Sequence, residues 1–361
     1  MKKLFIDRLI TLMSGNKLDA ILVCPSEELK FLTGFSPMMC ERFQGLFIKN
    51  SGEVFYVCNK LYTSEIVKHF GDMKVHDWFD GEVVTDAVFS MMEKEGLVGK
   101  TIGVNSTAPA FSILDIALKA NIKFVNAKPL FEEMRIIKTP EELNNMRMAA
   151  SILDKSFSEI IKHIKSGMKE AQIKDLLFSM VLKNGGSDPG GIVASGPNTS
   201  YGHYMGGDRV VEPQDVIILD FTCSYNNLCS DMTRTVFVGG ISDEFRKIYD
   251  ICRQSTEAGE DAAVEGAPIP DVDKAARDVI SNAGYSDYFI YRVGHGIGYM
   301  IHEAPDVKAS NNRKLEKGMC FTVEPGINIP GKVGMRIEDV VAITENGTEI
   351  LNKSTHELII L

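Results

Sequence analysis

Apolar positions in residues 1–130 alternate between helical and strand periods, which predicts a small α/β domain. Helices are predicted near residues 3–16, 60–69, 82–95 and 108–120. Short strands are predicted at residues 18–24, 43–49, 53–58, 101–104 and 123–125, with a hairpin turn at Asn50-Ser51-Gly52. No Gly-rich phosphate loop occurs in this region, so we expect it to shape the protein without supplying its chemistry.

Residues 131–361 repeat one order of elements, helix, helix and then strands, and are predicted to form a second domain. The first helix opens with Thr139-Pro140-Glu141-Glu142, a capping-box sequence. The predicted helices are 140–164, 169–184, 243–264 and 272–283, with Thr139, Ser242 and Asp271 as N-caps. Strands follow at 289–293, 319–324 and 335–344. We interpret this order as two related halves, each with two helices and strands, around one sheet-lined site.

Two apolar, β-branched runs between Val216 and Val238 flank a polar centre at Asn226-Asn227, which predicts a β-hairpin. Asp220 ends the first run and Asp231 opens the second, so the two carboxylates are expected roughly opposite each other. Directly opposed side chains lie about 4.5–5.5 Å apart at Cβ. Burial of unpaired anions is costly, and a cation, best a metal ion, is therefore predicted between them.

The composition indicates which partners the protein is unsuited to bind and in which compartment it is expected. The formal net charge of −10 argues against nucleic acid or an anionic membrane as a partner. Seven cysteines occur without a Cys-x-x-Cys motif, which is typical of free thiols in a reducing compartment. No apolar run reaches the length of about 18 residues that a membrane span needs. A cytoplasmic location is therefore expected.

Three further segments carry metal-ligating side chains in otherwise apolar, strand-like runs. They contain His295 in Gly-His-Gly-Ile-Gly, Glu324 in Thr-Val-Glu-Pro-Gly, and Glu338 in Arg-Ile-Glu-Asp. Each alone is weak evidence, because a Glu at a strand end is usually solvated and a His between glycines can simply fill a turn. Together with Asp220 and Asp231 they give four carboxylates and one imidazole in one domain.

This ordered set resembles the five-ligand dinuclear site of the pita-bread metallopeptidases, which include prolidase, aminopeptidase P and methionine aminopeptidase. The segment Leu29–Phe35 is similar to the creatinase-like N-terminal domain of the prolidase and aminopeptidase P branch. The resemblance implies that Asp231 and Glu338 bridge two metals and that Asp220 binds one of them. It also implies that His295 and Glu324 bind the other, and that Glu324 accepts the proton of the attacking water.

The chemistry of the five side chains agrees with this resemblance. Four carboxylates balance the charge of two divalent ions, and oxygen-rich ligation with one imidazole suits Mn²⁺, Co²⁺ or Zn²⁺, with Mn²⁺ preferred here. Two such ions about 3.5–4 Å apart can share a bridging water and polarise a peptide carbonyl. The cysteines near the site, Cys223, Cys229 and Cys320, are interpreted as packing residues.

Three further residues are expected at the site. His203 and His302 match the two substrate-binding histidines of the family, and either can donate to the developing oxyanion. The alternative for His203 is an ordinary loop histidine. Arg336 shares a strand face with Glu338, where it either supports the ligands and substrate or forms a plain cross-strand ion pair. His163 and His356 lack a suitable partner and are expected at the surface.

The chain departs from the family at one informative position. Many prolidases have Arg after His-Glu-x-Pro, where it pairs with the C-terminal carboxylate of the substrate, but this chain has Asp306. An acidic group there is expected to repel that carboxylate, so dipeptidase and aminopeptidase activity both stay open. The loop before His203 reads Ser-Tyr-Gly, where Ala-Leu-Pro is common, which points to an unusual substrate pocket.

The resemblance implies a metallopeptidase that cleaves the bond before proline in small peptides and forms a homodimer. One alternative is a creatinase-like hydrolase that acts on a different C–N bond, although creatinase-type enzymes lack the intact ligand set. The other is a non-catalytic pseudoenzyme, which a metal content near zero would favour.

Overall fold

The computed structural model describes residues 3–361, and the chain forms two compact units, Met1–Met134 and Arg135–Leu361. Both units combine helices with β-sheets, which confirms the predicted α/β class. None of the helices in the described part of the chain has the length and hydrophobicity that crossing a bilayer requires.

The first unit is built on one six-stranded sheet with the strand order β4-β3-β2-β1-β5-β6. Its strands are β1 (Ala20–Val23), β2 (Gly45–Lys49), β3 (Val54–Asn59), β4 (Lys74–Trp78), β5 (Thr101–Val104) and β6 (Lys123–Asn126). Its helices are α1 (Lys3–Gly15), α2 (Glu27–Thr33), α3 (Thr63–Phe70), α4 (Val84–Lys94), α5 (Ala110–Ala120) and α6 (Lys128–Arg135). The predicted hairpin is present, since β2 and β3 pair antiparallel across residues 50–53.

The second unit contains two pairs of helices, each followed by strands, as the repeated order predicted. The helices are α7 (Pro140–Ile160), α8 (Glu170–Lys183), α9 (Asp243–Ala262) and α10 (Ile269–Asn282). The strands are β7 (Ser187–Ser195), β8 (Val216–Tyr225), β9 (Leu228–Phe237), β10 (Gly294–Gly296), β11 (Glu303–Val307), β12 (Cys320–Val323), β13 (Gly326–Ile329), β14 (Val333–Arg336), β15 (Asp339–Thr344) and β16 (Gly347–Ile350). They form three sheets, β7-β8-β9, β11-β10-β12-β15-β16 and β13-β14.

Helix α7 begins at the predicted capping box. The Glu142 amide donates to Thr139 Oγ1 at 3.2 Å, and the Thr139 amide donates to Glu142 Oε2 at 2.7 Å. These bonds satisfy amides that the first helical turn leaves free. The apolar face of α7 packs with α8 against one side of β8 and β9, so the hairpin rests on a rigid support.

The hairpin register differs from the sequence expectation. Asn226 and Asn227 both have positive φ, 49° and 64°, and form a two-residue loop of the kind that matches strand twist. This loop pairs Asp220 with Thr233 and Asp231 with Thr222. The two carboxylates are therefore diagonal neighbours on one face of the ladder and not directly opposed.

Two other element predictions are wrong, and side-chain hydrogen bonds explain the first. Residues 289–293 form no strand, because the Arg277 guanidinium binds the carbonyls of Phe289 and Tyr291 at 3.1 and 3.0 Å. Helix α10 begins at Ile269 after an N-cap at Pro268, so Asp271 lies in its first turn.

The predicted strand over 335–344 is divided in two. β14 ends at Arg336 and pairs with β13, while β15 begins at Asp339 and pairs with β12 and β16. Ile337 and Glu338 lie between them, and Glu338 forms an isolated antiparallel bridge with Thr233 of β9. The division therefore brings Glu338 against the hairpin that carries Asp220 and Asp231.

Candidate metal centre

The bridge between Thr233 and Glu338 lies at the centre of a buried acidic cluster. Asp231, His295 and Glu338 each present a ligand atom, and these atoms all lie within 4.8 Å of one another. All three residues are nearly inaccessible to solvent, at 5%, 2% and 1% exposure. Three of the five predicted metal-ligating residues are thus within range of one ion.

The other two predicted residues adjoin this group. Glu324 Oε1 lies 3.2 Å from His295 Nε2, and Asp220 accepts a hydrogen bond from Arg336. Thr233 links Glu338 to Arg336, the partner of Asp220. Its hydroxyl donates to Glu338 Oε2 at 2.6 Å and accepts from Arg336 Nε at 3.2 Å. The structure therefore gathers all five predicted side chains.

The acidic groups lack enough positive charge around them. Burial raises the pKa of Asp231 and Glu338 well above the usual range, and neighbouring carboxylates raise both further. Burial likewise raises the pKa of Glu324 to about 7. Asp231 Oδ1 and Glu338 Oε1 are buried and have no hydrogen-bond partner among residues 3–361. Since buried polar atoms are nearly always paired, these two oxygens fit a bound cation.

His295 is held in place as a neutral ligand. Its Nδ1 lies 3.1 Å from the Gly296 carbonyl, which leaves Nε2 directed at the acidic cluster. Burial, followed by the effect of His302, lowers the pKa of His295 to about 3. A neutral imidazole with one nitrogen held by the backbone is the usual form of a metal-binding histidine.

The glycines on either side of His295 are required by close backbone contacts. A Cβ at Gly294 would lie 1.8 Å from the Thr322 carbonyl oxygen, and one at Gly296 would lie 2.1 Å from the Ala304 carbonyl. β10 therefore lies tightly between β11 and β12, which fixes the height of the imidazole above the sheet.

Arg336 combines the two roles that the sequence left open. It is 6% exposed and forms an ion pair across the strands, but its partner is Asp220, a member of the cluster. Burial opposes its charge, and Asp220 and the nearby Tyr291 and Glu324 hold the pKa of Arg336 well above its usual range. The guanidinium thus stays charged and orients Asp220.

Of the two predicted substrate histidines, His302 contacts His295, and His203 is near enough to His302 to influence its charge. The His302 ring is perpendicular to the His295 ring, with centroids 4.3 Å apart. Burial, Arg292 and His203 together lower the pKa of His302, which places His203 within electrostatic reach. Both histidines are exposed, so their ring nitrogens are accessible to a substrate.

The loop that carries His203 is anchored by a buried carboxylate. Glu170 is fully buried and accepts hydrogen bonds from the Ser195 amide, the Asn198 side chain and the Tyr204 hydroxyl. These contacts fix both ends of the loop on α8 and leave His203 free between them.

Sequence reasoning missed several residues of the site. Thr233 shares a face of β9 with Asp231, and the strand period of two could have identified it. Arg234 donates to the Glu338 carbonyl at 2.7 Å and to Asp339 Oδ1 at 2.7 Å, contacts that depend on distant chain segments. Arg292 also lies at the site and carries no motif that indicates it.

Asp306 does not stand as an unpaired acid. Arg292 donates to one of its oxygens, and Lys308 Nζ lies 2.6 Å from the other. Burial opposes ionisation, but Lys308 and Arg292 lower the pKa of Asp306. The expected repulsion of a substrate carboxylate is therefore offset by two cations.

A second group of ligand-type side chains, Glu260, Asp339 and His356, lies next to the first. Asp339 already accepts from Arg234 and from His356 Nε2, so His356 is not the unpartnered surface residue expected. Burial and the adjacent Asp339 raise the pKa of Glu260 to about 9. This group therefore forms a hydrogen-bonded support behind Glu338.

The cysteines near the site are packing residues, as predicted. Cys223, Cys229 and Cys320 are buried free thiols, and burial raises their pKa to about 12, 11 and 12. A thiol with so high a pKa is a poor nucleophile at neutral pH.

Comparison with known proteins finds a match for each of the two units. Residues 144–345 match metallopeptidase family M24, and residues 6–137 match the Creatinase/Prolidase N-terminal domain. The chain is 32% identical over 359 residues to an Xaa-Pro dipeptidase of Pyrococcus horikoshii, with 98% of each chain covered. A prolidase structure from Thermococcus sibiricus has a TM-score of 0.92 at 33% identity and covers 100% of this chain and 99% of its own. Dipeptidase PepE from Mycobacterium ulcerans gives a TM-score of 0.92 at 30% identity, with 99% and 97% covered. These matches confirm the resemblance drawn from the five acid and imidazole residues, and the chain belongs to metallopeptidase family M24.

Proposed function

We propose that this protein is a metallopeptidase that hydrolyses the peptide bond before proline in small peptides. The observation that carries the proposal is the pair of buried, unpartnered oxygens on Asp231 and Glu338 beside a neutral His295. The relatives include an Xaa-Pro dipeptidase and a prolidase, and their activity supplies the substrate class.

We assign the metal-binding roles to the five gathered side chains. Asp231 and Glu338 would bridge two divalent ions, with Asp220 on one ion and His295 and Glu324 on the other. Such a pair of ions activates water and polarises the substrate carbonyl. The oxygen-rich ligand set favours Mn²⁺, with Co²⁺ or Zn²⁺ as alternatives.

The remaining residues bind, orient and transfer protons. We assign to Glu324 the acceptance of a proton from the attacking water, since its carboxylate lies in the cluster with Oε1 3.2 Å from His295 Nε2. His203 and His302 can donate hydrogen bonds to the substrate carbonyl as negative charge develops on it. Arg336 keeps Asp220 in position.

We further propose residues 131–361 as the catalytic domain and residues 1–130 as the creatinase-like domain. Seven free cysteines support a reducing compartment, for which the cytoplasm is our proposal. A homodimer is proposed as well, because α5 exposes the apolar side chains of Phe111, Leu114 and Leu118 on one stripe.

The experiment is hydrolysis of Ala-Pro and Ala-Pro-Ala by protein supplied in turn with Mn²⁺, Co²⁺ and Zn²⁺, with bound metal measured in parallel. Asp231→Asn is expected to retain less than about 1% of wild-type activity and to bind less metal, because it alters a bridging ligand. Asp278→Asn removes an exposed acid on α10, 52% exposed, and serves as the matched control.

Two results would contradict the proposal. Metal-loaded wild-type protein that cleaves no proline peptide would exclude the substrate class and favour another C–N bond. Protein that binds no metal from excess Mn²⁺, Co²⁺ or Zn²⁺ would favour a non-catalytic role.

A further inference from the structure

Arg292 lies three residues before His295, and only one nitrogen of its guanidinium donates a hydrogen bond within residues 3–361. Its Nη1 donates to Asp306 Oδ1, and Nε and Nη2 donate to no other group within residues 3–361. The side chain is 35% exposed, so these nitrogens are open to a molecule that enters from solvent. A guanidinium with free parallel donors is suited to bind a carboxylate through two hydrogen bonds.

Backbone pairing places Arg292 next to the histidines of the site. The Val293 amide donates to the Val307 carbonyl at 3.0 Å, so Arg292 and Asp306 precede two hydrogen-bonded residues on adjacent segments. The same segments carry His295 and His302, whose rings are 4.3 Å apart.

The local charge balance is positive. Lys308 Nζ binds the second oxygen of Asp306 at 2.6 Å, so two cations share one carboxylate. One positive charge is therefore left over at the opening of the site. The partial exposure of all three groups weakens their mutual attraction and leaves them accessible to an anion.

The chemistry of a dipeptide requires a cation close to the cleaved bond. In Xaa-Pro the free carboxylate is attached to the proline Cα, within one residue length of about 3.8 Å from the scissile bond. In a longer peptide the same carbon carries an uncharged amide. A cation beside the histidines therefore distinguishes the two kinds of substrate.

We propose that Arg292, held by Asp306 and assisted by the charge of Lys308, binds the free C-terminal carboxylate of an Xaa-Pro dipeptide. This assignment rests on the proposed Xaa-Pro activity and deepens it, since it makes dipeptides the preferred substrate class. Asp306 is then a positioning residue for Arg292 and not a group that repels the substrate.

The test compares kcat and KM for Ala-Pro, Ala-Pro amide and Ala-Pro-Ala. Wild-type protein is expected to prefer Ala-Pro. Arg292→Gln is expected to lower kcat/KM for Ala-Pro by about ten- to a hundredfold, mainly through KM, because a charged hydrogen-bond pair is lost. The same variant should change kcat/KM for the amide by less than about twofold, since no carboxylate is present. Arg292→Lys should recover part of the loss because it retains the charge.

Matched variants separate this role from general effects. Arg246→Gln removes the same charge from an exposed position on α9 and should leave the preference for Ala-Pro unchanged. Lys308→Gln should reduce the preference less than Arg292→Gln does, and a larger effect would contradict the assignment to Arg292. Metal content should be the same in all of these variants.

Other outcomes would overturn the inference. Equal losses of Arg292→Gln on Ala-Pro and its amide would show a structural role. A wild-type protein that cleaves the amide or tripeptide as well as Ala-Pro would overturn the inference alone and leave the proposed activity intact. Failure to cleave any of the three would count against the proposed activity itself, and the inference would fall with it.

Discussion

The acidic residues of this site are buried, and burial disfavours their ionised form. Asp231 and Glu338 lie in an almost inaccessible environment, and burial raises the pKa of both. Asp220 and Glu324 raise the pKa of Asp231 further, and Asp231 and Glu324 raise that of Glu338. Arg336 supplies one positive charge to the cluster, and His295 is neutral. The metal-free protein therefore holds protons that the unfolded chain releases.

This predicts a stability that depends on pH and metal. The pKa of Glu324 is 4.5 in its ordinary state and about 7 in the folded protein, so the folded state binds more protons between these values. Stability of the metal-free protein should therefore be fully present at low pH and fall as pH rises through this window. Urea unfolding of EDTA-treated protein across the window measures the effect, and added Mn²⁺ should remove it.

A single amide substitution tests the same cause. In metal-free protein at about pH 8, Glu338→Gln is expected to raise the free energy of unfolding by about 1 kcal/mol or more, since an amide is neutral without the proton that the buried carboxyl must take up on folding. The same change should abolish hydrolysis. Glu345→Gln, in an exposed turn, is the control and should do neither. A Glu338→Gln protein that is less stable than wild type when both lack metal would contradict this account.

At the scale of elements, the site depends on how β9 meets the break between β14 and β15. Arg234 of β9 is 1% exposed and donates to the carbonyls of Thr233 and Glu338 at 2.9 and 2.7 Å. It also donates to Asp339 Oδ1 and to the carbonyls of Ser354 and Thr355. One guanidinium thus joins the hairpin, the divided strand and the C-terminal segment.

Arg234→Lys should therefore destabilise the metal-free protein by about 1–3 kcal/mol, because a lysine cannot make all the bonds of the guanidinium and leaves buried carbonyls without donors. Urea unfolding after EDTA treatment isolates this effect from metal binding. Arg253→Lys changes a half-buried arginine that pairs with Glu257 on α9, and it should cost less than about 1 kcal/mol. An equal loss of unfolding free energy in the two variants would show that the contacts of Arg234 between distant segments add no particular stability.

For the whole molecule, the α5 stripe is the surface that supports the proposed homodimer. Leu118 is 85% exposed, and Phe111 and Leu114 lie on the same side of the helix at 61% and 64%. Sedimentation equilibrium should give about twice the chain mass of 39.9 kDa for wild type and the single mass for Leu118→Glu. Leu182→Glu, at a 55% exposed position on α8, should leave the dimer intact. A monomeric wild type would refute the proposed homodimer.

Local patterns in the sequence were sufficient for most elements and for the five acid and imidazole residues that the structure brings together. The capping box at Thr139 and the turn at Asn226-Asn227 each involve only a few consecutive residues, so neighbouring side chains determine them. Acidic residues inside apolar runs, such as Asp220 and Glu338, were recognisable because burial of a charge requires a compensating partner.

Only the tertiary structure decided the contacts that join distant segments. Residues 289–291 form hydrogen bonds with the Arg277 side chain where a strand was expected. The bridge between Thr233 and Glu338 lies at the point that divides the strand expected at 335–344. The pairing of Asp306 with Arg292, which offsets the expected repulsion, likewise joins residues from separate segments. Short-range periodicity determines which residues become helix, strand or buried acid. Hydrogen bonds and ion pairs between residues far apart in the chain determine where those residues meet, and no local pattern encodes them.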